Sequence, residues 1–250
     1  MRTSRSEESS SVTVAPPPRA ATGVLELRTL TRFEDDERLS ALLWRAGPGW
    51  RMISSAVLGG GIGERSWVLN AQVSHGYGRT DPDTHLARLA RNAGVRGPGV
   101  GLMTAADVLC HGRAHDDGVE AVVTAGLGVH GWAATPAPGT SLPPSPGTIN
   151  IIAALPTALT DAALVNAVAT ATEAKVQALL DSGYDCSGTP TDAVCVAARV
   201  PRPGERPVAF AGPRSLWGAR LARAVHSAVR AAVEPVRGGA AAPARTRAGS

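Results

Sequence analysis

The chain has 250 residues, 44% of them hydrophobic, and a formal net charge of +4 at pH 7. That length can bury one sizeable core or two small ones, and the ordinary apolar content with modest charge excludes global disorder. The excess charge lies at the two ends, +1 over residues 1–20 and +3 over 237–250, so the middle is formally neutral.

With only 4% aromatic residues, a base-stacking nucleic-acid surface is not expected. No apolar run reaches the roughly 18 residues of a membrane span, and no apolar signal core follows Arg2 and Arg5. A cytoplasmic protein with no membrane partner is therefore expected. Cys110, Cys186 and Cys195 show no CxxC spacing, which fits reduced thiols. Among many arginines there is one lysine, Lys175. An ammonium kept against that bias suggests a place where a compact or deprotonatable cation is needed, or chance survival on a solvated helix face.

Residues 1–21, Ser-rich and then Ala-Pro-Pro-Pro, read as a disordered tail, and so do residues 237–250. Between them, 22–236 reads as one domain. Strands are expected at 24–30, 42–44, 50–54 and 66–74, with Gly47-Pro48-Gly49 as a hairpin turn. The first clear helix is 82–92, with Asp81 as N-cap, Pro82 at the first helical position and Gly94 closing it. A strand or turn follows at 101–105. β-Branched runs at 119–125 and 148–155 have strand length, and the prolines of 135–147 mark a surface loop or lid between them.

The longest helix is expected over 161–182, capped by Thr160 or Asp161 and ended by Gly183. Its core face is read as Val165, Val168, Ala169, Thr172, Val176, Leu179 and Leu180. A strand at 192–200 and a helix at 215–233 complete an α+β layered domain, with helices packed on a mostly antiparallel or mixed sheet.

Four segments in order carry a resemblance. They are Ser54-Ser55-Ala56-Val57-Leu58-Gly59-Gly60-Gly61 leading to Trp67-Val68-Leu69-Asn70; Met103-Thr104-Ala105-Ala106-Asp107-Val108; Gly147-Thr148-Ile149-Asn150-Ile151-Ile152 with Thr172-Glu173-Ala174-Lys175; and Ser187-Gly188-Thr189-Pro190-Thr191-Asp192-Ala193-Val194. Together they resemble the adenosylcobinamide amidohydrolase family from about residue 50 to 232. The resemblance implies hydrolysis of the aminopropanol amide of adenosylcobinamide to adenosylcobyric acid, in cobinamide salvage for cobalamin synthesis. It implies a corrinoid substrate that brings its own cobalt, with no cofactor or metal held by the protein. It also places Ser55, Gly60, Gly61, Asn70, Thr104 and Asp107 in substrate-binding segments. At residues 128–132 the chain departs from the family pattern, which has an asparagine-containing turn there. A corrinoid binder without turnover, or an amidase acting on a complete cobamide, is the alternative.

Amide hydrolysis needs an activated water or nucleophile, donors for the developing oxyanion and an acid for the leaving amine. Neither a GxSxG elbow nor an HExxH helix is present. His111 and His115, and the group His75, Asp81, Asp83 and His85, are weak metal candidates; Asp81 is more simply a helix cap. Glu173 shares a polar stripe with Asn166, Thr170 and Gln177, as a general base at a pocket rim or as a solvated face. Lys175 lies about 200° from Glu173 around the helix and is expected to order the following loop through Asp192 instead. Thr189 and its neighbours can form an oxyanion hole, supply a nucleophile, or serve only the turn. Asn150 can donate to an oxyanion or hold a turn. Ser54 and Ser55 are further nucleophile candidates, and the triple glycine allows close approach of a ligand.

Overall fold

The computed structural model describes residues 23–34, 36–134 and 147–237, the last three without their side chains. The tail residues 1–21 and 238–250 and the proline-rich stretch 135–146 lie outside them. Among the described residues, ten strands and three helices follow one another as β1 (Leu27–Glu34), β2 (Glu37–Trp44), β3 (Trp50–Ser54), β4 (Gly61–Glu64), β5 (Val68–Gln72), α1 (Pro82–Asn92), β6 (Val100–Thr104), β7 (His111–Asp116), β8 (Val119–Gly126), β9 (Thr148–Ala158), α2 (Asp161–Asp181), β10 (Ala193–Arg199) and α3 (Leu216–Arg237).

They build two mixed sheets, one ordered β1-β2-β5-β6 and the other β4-β3-β10-β9-β8-β7. Parallel pairing occurs in β5–β6, bridged by α1, and in β9–β10, bridged by α2. The expected α+β layering is present, with four layers.

Strand alternation decides which layer each side chain joins. Leu69 and Ala71 of β5 pack with Leu86 and Ala90 of α1 on one outer side. Val68, Leu102, Trp44 and Trp50 meet Met52, Ile152, Ala154 and Cys195 between the sheets. Ile149, Ile151 and Ala153 of β9 join the core shared with α2 and α3. Burial pushes the Cys195 thiol up to about 12, so it stays protonated in this inner layer.

Several local expectations change. Gly47-Pro48-Gly49 is not a hairpin: β2 pairs with β1 and β5, whereas β3 pairs with β4 and β10. The turn carries the chain from one sheet to the other, and Trp44 and Trp50 pack edge-on across it with ring centroids 4.9 Å apart. Two large rings that both require the inner layer favour this crossover over a hairpin.

Asp81 makes no cap bond; its carboxylate takes the Arg79 guanidinium at 2.8 Å instead. Thr160 does cap α2, accepting from the Ala163 amide at 3.1 Å. The buried face of α2 is formed by Ala163, Leu164, Ala167, Thr170, Ala171, Ala174, Lys175, Ala178 and Leu179. Val165 and Leu180, expected in the core, are 55% and 45% exposed. Alanines let α2 lie close to its neighbours, so packing distance and not side-chain size selects the buried face.

β7 lies where no element is read from the sequence. His111 and His115 stand four residues apart along this strand, about 13 Å, too far to share one ion. A Cβ at Gly112 would run into the Ala228 carbonyl and the Ala232 amide of α3. Gly112→Ala is expected to lift α3 from the sheet and cost about 1–3 kcal/mol, read as a lower urea midpoint.

Candidate functional site

The carboxyl ends of β3, β5 and β6 and the amino ends of β9 and β10 surround a cleft of about 390 Å³. Its walls include Ser55, His75, Tyr77, Thr104, Thr148, Asn150 and Asp192. A second concavity of about 770 Å³ is lined by His130, Trp132, Lys175, Thr189 and again Asp192. Asp192 is thus common to both.

The floor of the cleft is a polar chain set between the two sheets. Asn70 on β5 donates through Nδ2 to Thr124 Oγ1 at 3.0 Å. Asn150 on β9 donates through Nδ2 to Asn70 Oδ1 at 2.9 Å and to the Met103 carbonyl at 3.0 Å. Turning the Asn150 amide over would set its oxygen against two acceptors, so the orientation is fixed by its neighbours. Both Nδ2 hydrogens are spent. Asn150 Oδ1 is left without a partner although the residue is 1% exposed. Asn150, which lines the cleft, therefore carries an unpartnered acceptor and has no hydrogen left for an oxyanion. Asn70 is buried behind it and acts by holding it.

The loop before β10 is organised by one carboxylate. Asp192 Oδ2 accepts from Lys175 Nζ at 2.5 Å and from the Thr189 amide at 3.2 Å. Its Oδ1 accepts from the Ile149 amide at 2.9 Å and from the Thr189 hydroxyl. The expected ordering of this loop by Lys175 through Asp192 is present. With four donors on it, Asp192 is an anchor. The Thr189 hydroxyl and amide are both committed to it, which leaves neither free for an oxyanion hole. Gly188, at φ +151°, has no room for a side chain: a Cβ would press on Asp192 Oδ2 and Lys175 Nζ.

Next to it, the Thr191 hydroxyl donates to the Gly147 carbonyl at 2.9 Å, so the 2.5 Å contact between Thr148 and Thr191 is donated by Thr148. The segment at 128–132, where the sequence departs from the family pattern, is tied to the same loop by Gly131 N–H to Gly188 O and Ser187 N–H to Gly131 O, both 3.0 Å.

Other expected residues are distributed differently. Ser55 lines the cleft; its Oγ accepts from the Val194 amide at 3.1 Å and keeps its own hydrogen to give. Thr104 Oγ1 accepts from the Ala106 amide at 3.1 Å and is placed the same way. Asp107 turns outward and shapes the turn after β6, accepting from the Leu109 amide at 2.9 Å. Gly60 and Gly61 serve the β3–β4 connection. A Cβ on Gly60 would strike the Ala56 carbonyl, and Gly61 has φ +78°. Glu173 is exposed on α2 and lines neither concavity.

The group His75, Asp81, Asp83 and His85 does not converge. His75 lines the cleft, Asp81 is taken by Arg79, Asp83 is exposed and His85 is buried beneath α1. Tyr77 has no place among the candidates read from sequence; a lone tyrosine in a Gly-rich loop carries no spacing signal.

Fold and site together define an α+β layered protein with a cleft, apolar-walled but carrying several polar side chains, where the strand ends of two sheets meet. The family model Adenosylcobinamide amidohydrolase matches residues 26–239, and the chain belongs to this family. It is 31% identical over 186 residues to Adenosylcobinamide amidohydrolase of Methanosarcina mazei, covering 72% of this chain and 88% of that one. A shorter stretch of 90 residues is 43% identical to the protein of the same name from Halobacterium salinarum, covering 36% of this chain and 37% of that one. The solved PH0078 protein of Pyrococcus horikoshii overlays with a TM-score of 0.45 at 12% identity, covering 84% and 83% of the two chains, a likeness too loose to carry any argument.

Removing the lysine from a largely buried pair leaves a carboxylate without its counter-charge. Lys175→Met is expected to cost about 3 kcal/mol, measured by denaturant unfolding. Gly188→Ala is expected to separate the same pair and to lower the melting temperature although no charge is removed.

Proposed function

We propose that this chain hydrolyses the aminopropanol amide of adenosylcobinamide, giving adenosylcobyric acid and free aminopropanol for cobalamin salvage. Family membership supplies the reaction, and the observation that carries it in the structure is the orphaned Asn150 Oδ1. A buried acceptor without a partner costs about 1–3 kcal/mol, and a substrate amide N–H satisfies it. The Ser55 and Thr104 hydroxyls, each with a hydrogen to give, stand on the same cleft and suit the amide carbonyl.

The volume sets how the substrate enters. Pockets of about 300–1,000 Å³ enclose drug-sized ligands, and an adenosylated corrinoid is larger than these. The cleft takes the amide arm, and the ring with its cobalt remains at the mouth. In this reading the cobalt belongs to the substrate and the protein's own groups perform the hydrolysis.

Among the catalytic candidates, Lys175, Asp192 and Thr189 hold the loop that walls the cleft. Glu173 stands outside it, so Glu173→Gln is expected to keep turnover within about threefold. We read residues 22–236 as one domain, because both halves of the chain contribute to the layer between the sheets. Among the described residues no helix is long and apolar enough to cross a membrane, in keeping with a cytoplasmic reading.

The test incubates purified protein with adenosylcobinamide and follows the corrinoid by mass spectrometry. Conversion to adenosylcobyric acid with release of aminopropanol is expected. Corrinoid bound but unchanged would replace the reading by a binder, and turnover of a complete cobamide alone would replace the substrate. Asn150→Ala is expected to lower kcat/KM by roughly 10–100-fold, the loss of one hydrogen bond to a buried partner.

A further inference from the structure

Tyr77 lines the cleft, and behind it stands a second polar chain that the binding of the amide does not use. The Tyr77 hydroxyl lies 3.0 Å from His85 Nδ1, and the two rings stack with centroids 5.6 Å apart. His85 is 1% exposed on the inner face of α1. Its other nitrogen, Nε2, lies 2.7 Å from Glu34 Oε1 at the end of β1, although it makes no well-aligned hydrogen bond. Glu34 is held in turn by Arg32 at 2.8 Å and Arg88 at 3.4 Å. Tyrosine, imidazole and carboxylate therefore follow one another from the cleft to the end of β1.

We propose that Tyr77, His85 and Glu34 form a proton relay for the cleft, in which Tyr77 is the catalytic residue and His85 and Glu34 are positioning residues. This rests on the amide-hydrolase reading. A carboxylate near Nε2 favours the tautomer with hydrogen on Nε2, which leaves Nδ1 as acceptor for the tyrosine hydroxyl.

Burial is the largest influence on His85 and lowers its proton affinity. Glu34 opposes this, and Arg79, Arg88 and Arg32 add to it, so the ring rests neutral near pH 7. Burial also raises Tyr77, outweighing the charge and hydrogen bond of Arg79 that lower it, so the phenol is protonated at neutral pH. Burial disfavours ionised Glu34 as well, but the Arg32 hydrogen bond and the charges of His85, Arg32 and Arg88 outweigh it and hold the carboxyl below its usual range. Asp81, paired to Arg79, completes the set of charges facing the ring.

The relay balances the reaction. Water attacks the amide carbon and passes a proton to the Tyr77 oxygen as the phenol proton moves to His85 Nδ1. The imidazolium so formed is stabilised by Glu34. When the tetrahedral intermediate collapses, the C–N bond breaks and the amine nitrogen takes the Tyr77 proton. His85 then returns its own to Tyr77. Acid and amine leave, and the relay is restored with one water consumed.

The test combines an NMR reading with kinetics. In 15N-labelled protein, long-range 1H–15N spectra at pH 7.5 are expected to show His85 neutral with hydrogen on Nε2; hydrogen on Nδ1 overturns the relay whether or not turnover is seen. Tyr77→Phe is expected to lower kcat at least 100-fold with KM within about threefold, and a smaller loss overturns it. Glu34 raises the proton affinity of His85, so Glu34→Gln is expected to move the acid limb of the kcat profile to lower pH; an unmoved limb counts against the relay. Wild-type protein that leaves adenosylcobinamide intact contradicts the amide-hydrolase reading itself, while the tautomer still decides the relay.

Discussion

The contact on which the cleft depends is the hydrogen bond between two asparagines on facing sheets. Elsewhere the layer between the sheets is closed by apolar side chains that tolerate small slips. At Asn70 and Asn150 it is closed by polar groups, and breaking their bonds in a buried layer costs free energy. Thr124 and the Met103 carbonyl complete the chain, so four strands, β5, β6, β8 and β9, are fixed relative to one another where the cleft opens. A slip of one residue in either sheet would turn an asparagine outward and break the chain. This network consumes every donor of Asn150 and leaves one acceptor, so a single side-chain amide is structural at its nitrogen and unpartnered at its oxygen.

Asp192 has a similar double role in the next layer outward. Its carboxylate gathers an ammonium, two backbone amides and a hydroxyl, and those partners come from α2, β9 and the loop before β10. The crossover helix, the strand before it and the strand after it are thereby joined at one point. That point walls both concavities.

Much of the architecture was legible in the sequence. Helix α1 matches its expected span, because Pro82 at the first turn and Gly94 after the last are strong local signals. The partnership of Lys175 with Asp192 was legible from helical geometry that kept Lys175 away from Glu173. The buried face of α2 was not, because hydrophobicity ranks valine and leucine above alanine, whereas close helix packing reverses the order. Strands β4 and β7 were not legible because Gly61-Ile62-Gly63-Glu64 and His111–Asp116 have almost no apolar alternation; they are edge strands of their sheet. The site was legible as segments and not as roles. Sequence cannot say which atoms of Asn150, Thr189 or Asp192 are already spent on neighbours, and Tyr77 carries no signal in it at all.

The solitary lysine has a consequence for how the protein is studied. Lys175 is 7% exposed and its nitrogen is bound to Asp192. In the folded chain an amine-acylating reagent meets no accessible side-chain target, and acylation of Lys175 requires the pair to separate. Each molecule acylated at Lys175 itself, as distinct from the α-amine, then records one opening of the loop beside the cleft. The chain thus carries a single-site chemical clock for its own local unfolding, which substrate occupancy would be expected to slow.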